Sequence, residues 1–224
     1  MGIWGIMIIV MVVSLIIQQM LQSRFAKYSK VGTANGMSGA EVAQKMLNDN
    51  GIYDVKVVAT RGMLTDHYNP QTKTIALSEG VYSSRSVAAA AVAAHECGHA
   101  VQHAYGYAPL RMRSALVPVV SFASNIVQWI LLAGVILIDR FPSILWLGII
   151  LFATTTLFSF ITLPVEVNAS TRAIAWLGRS GVTDSRTHSM AIDALKWAAY
   201  TYVVAAIGSL ATLLYYIGIA RSRD

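Results

Sequence analysis

Four stretches of this chain contain no Asp, Glu, Lys or Arg: Ile3 to Leu21, Ala115 to Ile138, Ser143 to Leu163 and Ala198 to Ile219. An α-helix rises 1.5 Å per residue, so about 20 apolar residues cover the roughly 30 Å hydrocarbon core of a bilayer. Within hydrocarbon every backbone N–H and C=O must be satisfied inside the segment, which makes each run a helix. Composition agrees, since 55% of the 224 residues are hydrophobic and only 12% are charged, which excludes an ordinary soluble domain. The expectation is a mainly α protein with four transmembrane helices.

The first run has no basic residue ahead of it, ends in Gln18 and Gln19, and is followed by Arg24, Lys27 and Lys30. That pattern reads as a retained anchor rather than a cleaved secretory signal. Alternating sides at each span puts residues 22–114 and 164–197 on one face. They carry ten and four of the 17 Lys and Arg, against Arg140 in the short loop and Arg221 and Arg223 at the C-terminus. The positive-inside rule makes that face cytoplasmic, in a multi-pass protein of the inner or plasma membrane, although Arg221 and Arg223 pull the other way. A net charge of +6 spread among dispersed residues beside the spans fits anionic lipid headgroups, not nucleic acid. The single cysteine, Cys97, excludes an internal disulfide.

Between the first two spans lies the one sizeable polar segment. Ser38 and Glu41 form a capping box with Met37 and Val42 as its staple, predicting a helix from Gly39 to about Asn50, ended by Gly51. "DVKVVAT" and "MLTDHYNPQTKTIALS" are rich in β-branched residues around the turn cluster Asn69 to Thr72, and predict a strand followed by a hairpin. After Ser83, Ser84 and Ser86 an alanine-rich helix runs to about Tyr105, and Gly106 and Pro109 end it. Three regions follow: an anchor at 1–22, a small α+β region at the membrane surface at 23–113, and spans 2–4 at 114–224 enclosing a polar segment at 164–197.

The alanine-rich helix carries the chemistry. His95-Glu96-Cys97-Gly98-His99 is an HExxH motif, whose two imidazoles, one turn apart, can reach one zinc ion while Glu96 lies beside it. Zinc in such a site lowers the pKa of a water to about 7, and a carboxylate can take that water's proton. Hydrolytic zinc sites use three protein ligands and leave the fourth position to water. His103 continues the spacing of four, but His95, His99 and His103 on a straight helix span roughly 12 Å, too far to converge on one ion. His103 is instead a residue beside the ligands, on the substrate side, or a plain structural histidine. Cys97 points away from the metal face.

The third ligand then comes from elsewhere on the same side of the membrane, with Glu166, Asp184, His188, Asp193, His67, Asp66 and Glu79 as candidates. Glu166 stands out, because a carboxylate just after an apolar run needs a partner; pairing with Arg172 is the competing explanation. In "TDHYNP" the strand before the zinc helix is placed to align an extended substrate, with His67 and Tyr68 near enough to stabilise an oxyanion. An ordinary hairpin with polar tips fits those residues equally.

Two segments, "LTDHYNPQTKTIALSEGVYSSRSVAAAAVAAHECGHAVQHAYGYAPLRMRSALVPV" and "LPVEVNASTRA", resemble the bacterial membrane-bound neutral zinc metallopeptidases of the YugP type, distant relatives of the HtpX and CAAX-protease metallopeptidases. The resemblance covers essentially the whole chain. It implies a zincin-like catalytic region with one Zn2+ held by His95, His99 and Glu166, and Glu96 as catalytic base, the arrangement called gluzincin. Relatives often carry an acidic residue two and four positions after the third ligand; here those positions are Asn168 and Ser170. Asn168 and Arg172 join His103, His67 and Tyr68 as candidates to support the ligands or touch substrate. The expected function is a membrane zinc metalloendopeptidase acting on peptide or protein substrates. The alternative is an inactive zinc-binding scaffold or quality-control factor, with a fourth protein ligand closing the site. No pattern in the sequence defines an oligomeric state.

Overall fold

The structure is a computed structural model that describes residues 2–222, so Arg223, counted above among the C-terminal charges, lies outside the described residues. Among the described residues, seven helices and three strands follow in the order α1 (Ile3–Tyr28), α2 (Gly39–Asp49), β1 (Lys56–Thr60), β2 (His67–Asn69), β3 (Thr74–Ser78), α3 (Glu79–Tyr82), α4 (Val87–Ala104), α5 (Ala108–Ile136), α6 (Pro142–Leu177) and α7 (Ser185–Arg221). The protein is mainly α with one small sheet, as expected. Helices α1, α5, α6 and α7 are each long and apolar enough to cross a membrane.

These elements form two compact units. The described part of the first comprises residues 2–16, 109–164 and 201–222, the apolar portions of the four long helices. Here α5 and α6 touch at main chain: a Cβ on Gly134 would lie 2.6 Å from the Leu145 Cα, and one on Gly148 2.8 Å from a Leu131 methyl. Small residues at helix contacts are how membrane helices gain van der Waals packing. Val127, Leu131, Ile138, Leu145 and Ile149 form the buried centre of this unit.

The second unit comprises residues 17–108 and 165–200. Its first helix, α2, begins as predicted: Ser38 accepts from the Glu41 backbone N–H, and Glu41 accepts from the Ser38 N–H at 2.7 Å. Gly51 ends it with φ +70°, a left-handed position that glycine occupies at low cost. The hairpin also forms, with β2 antiparallel to β3 and the Asn69 Oδ1 accepting from the Gln71 and Thr72 N–H groups in the turn. The sheet order is β1-β3-β2, with β1 parallel to β3, so the buried β3 is central and β2 is an edge. Val42, Met46 and Leu47 of α2, Ile75 and Leu77 of β3, the alanines of α4, and Trp176 and Leu177 of α6 make one continuous core.

Helices α6 and α7 extend well past their apolar runs, α6 by 14 residues beyond Leu163 and α7 by 13 before Ala198. Pro164 removes one N–H from the α6 ladder where the apolar run ends. Beyond it Val165, Ala169, Ala173 and Trp176 recur on one face and are all buried. The polar segment 164–197 is thus largely helical, and it places Glu166 on the first turn past the hydrocarbon run.

Candidate metal centre

Helix α4 is capped by Ser86, whose hydroxyl accepts from the Ala89 N–H, and it runs unbroken through the motif to Ala104. Its alanines are buried in the core, so the helix axis lies close to its neighbours. The closest approach is at Gly98: a Cβ there would meet the Ala169 carbonyl oxygen of α6 at 2.5 Å. Only glycine permits this contact, and Gly98 stands inside the motif between the two histidines.

That approach brings three ligand atoms together. The Nε2 atoms of His95 and His99 lie 3.2 and 3.5 Å from the same Glu166 oxygen, Oε2. The group His95, His99 and Glu166 lies within 4.8 Å throughout, and among the described residues no fourth His, Cys, Asp or Glu joins it. Ligands about 2.0–2.1 Å from a tetrahedral zinc are separated by roughly 3.3 Å, so spacings of 3.2 and 3.5 Å are compatible with one shared ion. Glu166 is 3% exposed and needs a positive partner. Burial opposes charge on His99, but the hydrogen bond and charge of Glu166 outweigh it and hold its pKa above the ordinary imidazole value. The residues present therefore fit a divalent cation.

The outer nitrogens of both rings are held. The His95 Nδ1 lies 3.1 Å from the Ser170 hydroxyl, and the His99 Nδ1 lies 3.1 Å from the Gln102 Oε1. Gln102 is fully buried, and its Nε2 donates to the Val165 carbonyl at 2.7 Å and to the Asn168 Oδ1 at 3.1 Å. Both are acceptors, Asn168 also taking the Arg172 Nε–H at 2.8 Å, so the Gln102 amide orientation is determined by its neighbours. Its oxygen faces His99, which makes the His99 Nδ1 the donor and turns Nε2 toward Glu166, where a metal would be held. Ser170 supports one imidazole directly and Asn168 supports the other through Gln102.

Gln102 was not among the sequence candidates, although its position three residues after His99 puts it on the same helical face. Glu96 is buried beside the pair, near enough that its charge contributes to raising His99, and its carboxylate makes no hydrogen bond among the described residues. Cys97 faces the opposite way, donating to the Ala43 carbonyl of α2; burial, then the Glu96 charge, pushes its thiol well above the usual range. His103 lies outside the group and pairs through Nδ1 with the Tyr68 hydroxyl at 2.9 Å. The exposed His67 sits against its own loop, with Nδ1 2.7 Å from the Thr65 carbonyl.

The other third-ligand candidates have structural work. Asp184 accepts from the Thr187 N–H and hydroxyl just before α7, Asp193 accepts from the Tyr28 hydroxyl at 2.6 Å, and Asp66 accepts from the Ser78 N–H. His188 lies against Gly178 and Thr183, and Glu79 opens α3.

A family model described as "Putative neutral zinc metallopeptidase" matches residues 3–221 of the chain. The chain belongs to this family. It is also 44% identical over 197 residues to the "Putative membrane protease YugP" of Bacillus subtilis (strain 168), which covers 88% of this chain and 87% of the relative. No solved structure matches. The four membrane-length helices and the His–His–Glu group of this family member agree with both descriptions: a zinc protease held in a membrane.

Proposed function

We propose that the chain is a membrane-embedded zinc metalloendopeptidase whose metal is held by His95, His99 and Glu166. The observation that carries this reading is the pair of spacings from the Glu166 Oε2 to the two imidazole nitrogens, 3.2 and 3.5 Å, with only three protein ligands in the group. Zinc bound there would polarise a peptide carbonyl and bring the pKa of a water to about 7. Glu96 takes the proton of the attacking water and passes it to the leaving amine nitrogen. Ser170 and Gln102 hold the imidazoles in the orientation and tautomer that present Nε2 inward. The edge strand β2 accepts an extended substrate by main-chain pairing, and Tyr68 and His103, joined by their hydrogen bond, flank the site where substrate would lie. Asn168 and Arg172 act behind Gln102 rather than on substrate.

The distribution of Lys and Arg supports a cytoplasmic site in a multi-pass inner or plasma membrane protein. The chain divides in this reading into an anchor at 1–22, a catalytic region at 23–113 and spans 2–4 at 114–224, with segment 164–197 completing the metal site. The competing scaffold requires a fourth protein ligand; the two histidines that could supply one, His67 and His103, are engaged with Thr65 and Tyr68. The deciding experiment is purification of the parent and the Glu96→Gln form, with zinc content and cleavage of a membrane-protein or peptide substrate measured on both. One zinc in each and cleavage by the parent alone is the expected result. Equal cleavage by Glu96→Gln refutes the mechanism, and an inert parent with four protein ligands by zinc X-ray absorption establishes the scaffold.

A further inference from the structure

Within two of the spans most hydroxyls satisfy themselves, the buried Thr162 of α6 being an exception. Thr154, Thr155, Thr156 and Ser159 of α6, and Ser209 and Thr212 of α7, each donate to a carbonyl three or four residues back in the same helix. Helix α5 behaves differently. Its apolar run contains Ser121, Ser124, Asn125 and Gln128, all exposed, and among the described residues none of these four side chains makes a hydrogen bond. Asn125 and Gln128 lie within two residues of the midpoint of the run, where a carboxamide without a partner is most unfavourable.

These residues fall in register. At 100° per residue Ser121, Ser124, Asn125 and Gln128 occupy one sector about 100° wide, together with the exposed Val117, Leu132 and Val135. Val117, Ser121, Ser124, Gln128 and Val135 are spaced by four, three, four and seven residues, the repeat of a left-handed helix pair. Val117, Val120, Ser121, Ser124 and Asn125 line one wall of an open groove, and Phe158 of α6 stands on the other side. This face is thus a seam with small hydroxyl residues, amides at its middle and apolar ends.

We infer that α5 is the contact face of a homodimer, with the α5 stripe of one copy packed against that of a second. The occupant follows from the chemistry and from membrane insertion. All copies of one chain insert in the same orientation, so two α5 helices related by a two-fold axis along the membrane normal run parallel, with each residue facing its own counterpart at equal depth. Hydroxyls and carboxamides both donate and accept, so Ser124, Asn125 and Gln128 are self-complementary and such a partner satisfies all three. The serines let the two backbones approach, and Val117, Leu132 and Val135 pack above and below. This inference does not depend on the metal site or on proteolysis.

The test uses the full chain with Cys97→Ala, which removes the only native thiol, and single cysteines introduced at Ser121, Ser124 or Gln128. Phe122→Cys, exposed and well off the stripe, serves as the comparison. Oxidation in membranes and in proteoliposomes of purified protein should give disulfide dimers at the three seam positions and not at Phe122. Energy transfer between labelled copies of the parent in proteoliposomes should show pairing, and Asn125→Leu with Gln128→Leu should weaken it about tenfold or more. Monomeric parent chain in proteoliposomes overturns the inference whatever the variants do. So does equal cross-linking at Phe122. Cross-links at Ser124 to other membrane proteins only, with none between copies, overturn it in favour of a different transmembrane partner.

Discussion

The Gln102→Leu substitution isolates the contribution of the amide behind His99. Leucine is close in volume to glutamine, so the buried site is neither emptied nor overfilled, while the His99 Nδ1 loses its acceptor. His99 is 8% exposed and Gln102 fully buried, so water does not readily replace the missing oxygen. Loss of such a partner typically weakens metal binding 10- to 100-fold, about 1.4–2.7 kcal/mol. The cost to folding should be about 1–3 kcal/mol, that of the orphaned His99 Nδ1–H, because the two acceptors left behind keep other partners: the Val165 carbonyl its helical N–H, and Asn168 the Arg172 guanidinium. Arg172→Gln is the internal comparison. It loosens Asn168, but the Val165 carbonyl still orients the Gln102 amide, so zinc affinity should fall less than about threefold. Competition with a chromophoric chelator in detergent micelles measures affinity, and circular dichroism confirms the fold. Gln102→Leu binding zinc within twofold of the parent refutes the role given to the amide, and a large loss in Arg172→Gln refutes the order of the chain of contacts.

Further expectations concern other parts of the molecule. Glu96→Gln should keep its zinc while losing about 10²- to 10⁴-fold in turnover, read by substrate cleavage at matched metal loading. Gly98→Ala places a methyl 2.5 Å from the Ala169 carbonyl oxygen, so α4 and α6 must separate. A loss of about 1–3 kcal/mol in thermal stability and weaker zinc binding should appear together, and unchanged values for both would show that the contact is not tight. Glu41 has a depressed pKa, first from the Ser38 N–H and hydroxyl and then from Arg85, so its stabilising effect is present above about pH 4.3 and is lost as pH falls through its lower folded value. Amide protection factors at the start of α2, corrected for the intrinsic pH dependence of exchange, should fall in acid in the parent and show no such fall in Glu41→Gln; identical profiles would assign the acid effect elsewhere.

The parts of this protein that were legible in the sequence are those encoded by neighbours in the chain. Charge-free runs reported the four membrane-length helices, Ser38 and Glu41 reported a helix start, and the spacing of His95 and His99 reported two imidazoles on one helical face. The parallel pairing of β1 with β3 was hidden, because it joins strands that β2 separates in the chain. The true lengths of α6 and α7 were obscured by the fall in hydropathy, although Val165, Ala169, Ala173 and Trp176 keep a helical period past Leu163. Gln102 escaped notice because a lone glutamine has no motif. Only its distance of three from His99, and the Val165 and Asn168 partners supplied by α6, make its orientation matter.

The alanines of α4 have an entropic consequence. Ala88, Ala89, Ala90, Ala91, Ala93, Ala94 and Ala100 are all at most 3% exposed, yet none has a rotamer to lose on burial. Seven leucines or isoleucines in their place would forfeit roughly 0.5–1 kcal/mol each in side-chain freedom and would offer many alternative interlocking arrangements. A surface of methyl groups offers few. The helix that carries His95, Glu96 and His99 can therefore settle against its neighbours in one register, with its uncertainty of position confined to the backbone.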